Sequence, residues 1–319
     1  MRPLPWLLSC ACVAALAQTP DAEKLADSDV IPAYKVEPAY TPEARAAKLQ
    51  GSVYLYAEVT FQGALEKIRV MHPLGLGLDE QAVKAVRQWC YKSGRRDVVA
   101  QAIEVAFRLD DGGPWRVRQA AYTVLKNPRL AEARTKPSIS RYASPDPKAC
   151  PAEGDSVVVD LSIGDDGRPR SIKPQYPGEP MSDAAAKAIA SWQFKPATGG
   201  GEPREAIARI EFECGPPHVA DPGAPAHPSG SGNVWAPEAI FQPQPEYPAE
   251  AGGYLGNVEM KTVIDATGHP TRLRIPRMTG MGLDEPALEA VSQWRYRPGT
   301  KDGKPVSVPM TVGIAFRPH

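Results

Sequence analysis

The sequence carries no excess charge of either sign. Its 37 Lys and Arg are matched by 37 Asp and Glu, for a formal net charge of zero, and a chain without a clustered basic field cannot displace the counterions that drive nucleic-acid binding. It also lacks a long apolar run: the segment from about Leu4 to Leu16 covers about 13 residues, where a helix needs roughly 20 to cross a bilayer. Histidine is scarce, and His72, His218, His227, His269 and His319 show no paired metal-ligand spacing. HExxH, GxSxG and a phosphate-cradling glycine loop are all missing. The chain is therefore read as no enzyme, with no cofactor and no metal expected. Asp165 and Asp166 are adjacent carboxylates, but a turn-forming role at a hairpin tip accounts for them.

The first residues, MRPLPWLLSCACVAALAQTP, have one early positive charge, the short apolar run, and Ala15-Leu16-Ala17 as a small-x-small site. That is the pattern of an export signal cleaved after Ala17, and it places the mature chain in the periplasm. Two alternatives stand beside it: a lipidated N-terminus at Cys10, and a retained membrane anchor. Export would leave Cys90, Cys150 and Cys214 in an oxidising compartment, with one thiol unpaired. Cys90, beside Trp89, reads as a small semi-buried residue and not as a reactive thiol.

What the sequence does have is repetition. GLDEQAVKAVRQWCYKSG (77–94) returns as GLDEPALEAVSQWRYRPG (282–299), identical at eleven of eighteen positions and offset by 205. The same offset carries Gly51 onto Gly256, Gly63 onto Gly268 and Trp89 onto Trp294. Midway, Gly154 precedes Trp192 by 38 residues, the separation of Gly51 from Trp89 and of Gly256 from Trp294. Three copies are thus predicted, the middle one the most eroded. Each would be about 75 to 80 residues, near the lower limit for a domain with a single small core.

One template fits all three. A Tyr-x-Pro or Tyr-Pro element starts a short helix with proline in its first turn. An alternating run follows, with Val53, Leu55, Ala57 and Val59 on one face and Ser52, Tyr54, Tyr56 and Glu58 on the other, which predicts a strand with one buried face. Gly63, Gly167 and Gly268 close a hairpin into a second strand. The repeated helix then presents Leu78, Ala82, Val86 and Trp89 as an apolar stripe, with Asp79 and Asp284 at its start as caps. A last strand ends each unit: Ala102 to Leu109, Ala206 to Glu213 and Val306 to Phe316. The fold class is α+β, three tandem small domains, each a three-stranded antiparallel-type sheet with helices on one face in the order helix, strand, strand, helix, strand. Trp89, Trp192 and Trp294 are assigned to the cores.

The boundaries drawn are a signal at 1–17, an N-terminal segment at 18–34, repeats at 35–110, 149–214 and 236–319, a helical and Pro-containing linker at 111–148, and a Pro/Gly-rich linker at 215–235. Within the first linker, 114–137 reads as one or two amphipathic helices interrupted at Pro128.

QPEYPAEA, the spacing from Gly256 through Gly268 to Leu283-Asp284, WRYRPG, and the closing Val312-x-Ile314-x-Phe316 resemble the C-terminal domain of TonB, the periplasmic protein that passes inner-membrane energy to outer-membrane receptors. The third unit matches along its length, the first nearly so, the second weakly. The resemblance implies a sheet ordered second, first, third strand, with the last strand a free edge. It implies that a receptor's extended peptide would lie along Val306, Val308, Met310 and Val312, and beside Gln244 and Pro245, by strand addition. The strand order would also bring Cys150 and Cys214 together as a disulfide worth about 2 to 4 kcal/mol. The partners implied are an outer-membrane TonB-dependent receptor or other envelope proteins, with inner-membrane motor proteins only if the N-terminus is retained. The alternative is an envelope scaffold that binds no receptor peptide.

Overall fold

The computed structural model describes residues 32–92, 97–124, 134–152, 155–215, 226–230 and 232–317. The export signal, Pro128, His218 and His319 lie outside them.

The structure is mixed α and β, with few helices and many strands. In the first unit, a short helix α1 (Pro42–Ala46) precedes strands β1 (Gly51–Val59) and β2 (Leu65–His72), helix α2 (Leu78–Val86) and strand β3 (Val99–Phe107). Thr41 caps α1, its hydroxyl accepting from Ala44 N–H, and proline fills the first helical position, where a missing donor costs nothing. Next comes β4 (Trp115–Val124), then β5 (Ser156–Ile163), β6 (Pro169–Pro174), helix α3 (Pro180–Ile189) and β7 (Ala206–Cys214). The last unit has β8 (Gly256–Ile264), β9 (Pro270–Ile275), helix α4 (Asp284–Ser292) and β10 (Val308–Phe316). Single 3-10 turns at Pro147–Ala149 and Ala249–Ala251 replace α1 in the second and third units.

The repeated residues do the same work three times. The indole N–H of Trp89 donates to the Val36 carbonyl, that of Trp192 to Ala143 and that of Trp294 to Pro243, at 2.8, 2.9 and 3.1 Å. Each tryptophan therefore pins the extended segment that leads into its own unit. At the hairpin, Tyr91, Phe194 and Tyr296 N–H groups donate to the carbonyls of Gly63, Gly167 and Gly268. A Cβ on these glycines would lie 2.0, 2.0 and 1.9 Å from the carbonyl oxygens of those same partners, and φ is positive at all three. Only glycine fits there. Asp79 and Asp284 differ from the expected helix caps. Their carboxylates accept from the loop amides of Leu74 and Gly75, and of Thr279 and Gly280, tying down the loop that enters the helix.

The units do not stand apart. Ten strands form one sheet in the order β10-β8-β9-β3-β1-β4-β7-β5-β6, with β2 also paired to β1. Within it each unit keeps the second, first, third order. The joints lie between units: Arg274 and Ile275 of β9 pair antiparallel with Gln101 and Ala100 of β3, and β4 pairs along β7 from Ala206 to Cys214. β4 also touches β1 in parallel, at Gly51 and Ser52. Residues 115–124 are therefore a strand and not the amphipathic helix expected, because β7 offers an open edge that a neighbouring extended segment can satisfy.

Two cores result, one on each face. Val53, Leu55, Ala57, Ile103 and Val105 share the first with the second unit's Val159, Ile189, Trp192 and Phe212. Tyr54, Tyr56, Met71 and Ala100 turn to the opposite face and pack with Met260, Leu288, Val291 and Trp294 of the third unit. Nearly every residue of β1 is consequently buried, where alternation alone predicted one solvated face. Polar contacts cross at the same seam: His72 Nε2 lies 2.8 Å from Ser292 Oγ, Arg69 pairs with Glu285 at 2.8 Å, and Lys136 bonds Met71 O and Glu289.

Candidate binding edges and a junction cluster

Strand edges are the groups that can take up an extended peptide, so what covers each edge decides what it can do. The second strands are poor candidates. Lys67, Ser171 and Arg272 hold equivalent places in β2, β6 and β9, each with positive φ, and each hairpin has a register shift there. Such bulges twist an edge away from partners.

The third strands pair with their first strands without any register shift. Two of them are occupied on the outer side. β7 is covered by β4, and β3 by β9 at Ala100 and Gln101. Beyond Gln101 the β3 edge opens into a cleft of about 560 Å³ lined by residues 102–108, Tyr54, Trp89 and the start of β9. β10 ends the sheet, and among the described residues no strand lies outside it. Proline within a strand is tolerated where its missing N–H would face solvent. Pro309 in β10 thus assigns the outward donors to its alternate partners, Thr311, Gly313 and Ala315.

The residues expected to bind peptide are spread over three settings. Val308, Met310 and Val312 belong to β10; Val308 and Val312 are buried on the core side, so only their backbone borders the edge. Val306 pairs with Gly299 in a small outer hairpin. Gln244 and Pro245 lie in the extended lead to the 3-10 turn, Gln244 exposed and Pro245 half-buried. Trp89, Trp192 and Trp294 are buried.

The cysteines are brought together as well. Cys150 and Cys214 form a disulfide with Cα atoms 5.7 Å apart. Cys90 is buried beside Trp89.

A polar cluster that the sequence reading missed sits where the units meet. Glu211 and Glu213 alternate along β7, on the face away from Ile210 and Phe212. Over them lie Arg295 and, from the β8–β9 turn, His269. Burial would raise the Glu211 carboxyl, but Arg295 and His269 beside it hold it well below the usual range. His269 is pushed down by burial and by the guanidinium groups of Arg118 and Arg295, while Glu211 beside it pulls the other way. Its ligand-type atoms were invisible in sequence because the carboxylates lie on one unit and the imidazole on another.

Comparison with known proteins bears on the repeats directly. Residues 36–109 and 243–318 match the family model described as Gram-negative bacterial TonB protein C-terminal. These two regions are similar to that domain. The residues between them, the middle unit included, lie outside both matches. The chain is 35% identical to "Protein TonB" of Vibrio cholerae over 79 residues, 24% of this chain and 32% of that protein. It is 31% identical to "Protein tonB2" of Pseudomonas aeruginosa over 81 residues, 24% of this chain and 30% of that one. The chain thus spans about a third of the length of these curated relatives. No solved structure matches it significantly. Among the described residues no helix is long and apolar enough to cross a membrane.

Proposed function

We propose that this is a periplasmic TonB-like interaction protein, not an enzyme, that captures an extended peptide of an outer-membrane receptor along β10. The observation that carries this reading is the fate of the three third strands. β7 is covered and β3 partly so, whereas β10 keeps an unbulged edge with outward donors at Thr311, Gly313 and Ala315. In this reading the units are TonB-C-like repeats at 35–110, 149–214 and 236–319, with the third contributing the working edge and the middle one an eroded copy. Val306, Val308, Met310, Val312, Gln244 and Pro245 border the added strand, the buried valines through backbone alone. Periplasmic placement rests on the export signal cleaved after Ala17. Motor proteins would be partners only if the N-terminus were retained.

The test is calorimetric titration of the full chain with peptides from the periplasmic ends of outer-membrane receptors. Saturable binding to the parent, lost in Thr311→Pro with circular dichroism unchanged, supports capture at β10. Binding that survives Thr311→Pro redirects the reading to the β3 edge and its cleft. One observation favours a second reading, an envelope scaffold: both cores are shared between units, as befits a rigid spacer. Absence of binding to every receptor peptide by the folded chain selects that alternative.

A further inference from the structure

We propose that Glu211, Glu213 and His269 form a binding site for a divalent transition-metal ion of zinc type, which clips the middle unit to the third. The three groups offer one ligand atom each within 4.8 Å of one another. His269 Nε2 lies 3.5 Å from Glu211 Oε1 and 3.5 Å from Glu213 Oε1. That is too long for an N–H···O bond of about 2.7 to 3.2 Å. It is close to the ~3.4 Å edge of a tetrahedron built on metal–ligand bonds of about 2.0 to 2.1 Å. One histidine with two carboxylates is a donor set that zinc accepts.

The second shell fixes which nitrogen is available. Asp265 Oδ1 accepts from the Thr267 hydroxyl at 2.7 Å and from the amides of Thr267 and His269 at 2.9 Å each. With its proton given to Asp265, the Thr267 oxygen, 2.8 Å from His269 Nδ1, can only accept. The Nδ1 atom therefore carries a proton, which leaves Nε2, the nitrogen facing the two carboxylates, as the one that could take a metal. This is the Asp-anchored histidine arrangement that orients metal ligands. His269 is 7% exposed, and its Nε2 has no hydrogen-bond partner. A metal ion placed between the imidazole and the two carboxylates would gain three coordinate bonds from atoms already within 4.8 Å of one another.

The neighbouring cations position the ligands. Arg295 engages Glu211 Oε2, leaving Oε1 directed at the imidazole. Arg118 stands 3.7 Å from Glu213 Oε1, a long ion pair that leaves the oxygen a second lone pair. Glu213, with a side chain 18% exposed, is the route of entry.

The experiment is titration of Zn²⁺ into the chelator-stripped full chain near pH 7.5, followed by calorimetry and thermal unfolding, with Co²⁺ as a spectroscopic stand-in. One saturable site is expected, with a higher unfolding temperature and the intense visible bands of four-coordinate Co²⁺. Glu213→Gln should weaken the site by at least tenfold, and Thr267→Val, which touches no ligand atom, by about 10- to 100-fold. His227→Ala should change nothing. No saturable site in the parent overturns the proposal, and so does a site of equal strength in both Glu213→Gln and Thr267→Val, since the ion would then be held elsewhere. The Co²⁺ spectrum of the parent decides the matter even if a variant fails to fold.

Discussion

The Cys150–Cys214 bridge joins residues 64 apart in sequence, across the ends of the middle unit's first and third strands. Removing it by Cys150→Ala with Cys214→Ala frees a long loop in the unfolded chain. In the loop-closure model a loop of that length costs about 14 cal/mol/K, or about 4 kcal/mol at 25 °C. The temperature shift this produces depends on what unfolds with it. If the whole described chain, on the order of 260 residues, melts as one unit with an entropy of about 0.55 kcal/mol/K, the midpoint falls by about 7 °C. If the middle unit of about 75 residues melts alone, its entropy is about 0.16 kcal/mol/K and its midpoint falls by about 25 °C. The shared cores and the continuous sheet favour the smaller, global shift. Scanning calorimetry of parent and double variant, with denaturant titration for the free energy, measures both quantities. A loss below about 1 kcal/mol would refute the reasoning, because the bridge would then constrain nothing that folding does not already constrain.

Three further expectations concern two seam residues and one hairpin glycine. His72 is held neutral by burial, with Lys136, Arg118 and Arg295 adding to the effect. Its folded pKa is thus below the unfolded value of about 6.5; its contribution is whole above that pH and is lost as pH falls, at about 1.4 kcal/mol per pH unit. His72→Gln should flatten the denaturant midpoint between about pH 6.5 and 5 by that one proton, and unchanged slopes would contradict it. Gly268→Ala places a Cβ 1.9 Å from the Tyr296 carbonyl at φ +86 and should cost about 2 to 3 kcal/mol from left-handed strain and a lost hydrogen bond; a cost under 1 kcal/mol would mean the turn relaxes. Glu211→Leu strands the Arg295 guanidinium and should destabilise by about 3 kcal/mol or more, read from urea midpoints; a neutral result would show that water reaches the junction.

The elements themselves were legible because their determinants are local. The helix stripe ending in Trp89, Trp192 and Trp294, the hairpin glycines and the alternation in β1 recur at fixed spacing, and each recurs for a contact made inside its own unit. Errors arose wherever a neighbour supplied the partner. Tyr54 and Tyr56 sit on the face that alternation leaves to solvent, and are buried by the third unit. Trp115 to Val124 pairs with β7, a contact that no helical or strand propensity within the segment reveals. The two carboxylates of β7 and His269 are 58 or fewer residues apart in sequence but meet only through docking of the third unit. The edge of β10 was named in advance from the resemblance; that no strand among the described residues covers it, while β7 is covered and β3 partly so, was a matter of assembly.

That assembly limits how the third unit can be studied. Its core is completed by Tyr54, Tyr56, Met71 and Ala100 of the first unit, and its helix α4 is held from outside by His72, Arg69 and Lys136. Cutting it out as residues 236–319 uncovers the apolar surface beneath those side chains. At about 1.5 to 3 kcal/mol for each large side chain's worth of burial, two such losses remove about 3 to 6 kcal/mol. A domain of this size holds about 4 to 12 kcal/mol in all. The fragment should therefore melt well below the full chain, or dimerise to cover the exposed patch, and peptide binding measured on it would report the wrong object. Comparing the unfolding curve and sedimentation of the fragment with those of the full chain tests this directly. A monomeric fragment that melts as sharply and as high as the full chain would mean that the contacts across the seam add nothing to its stability.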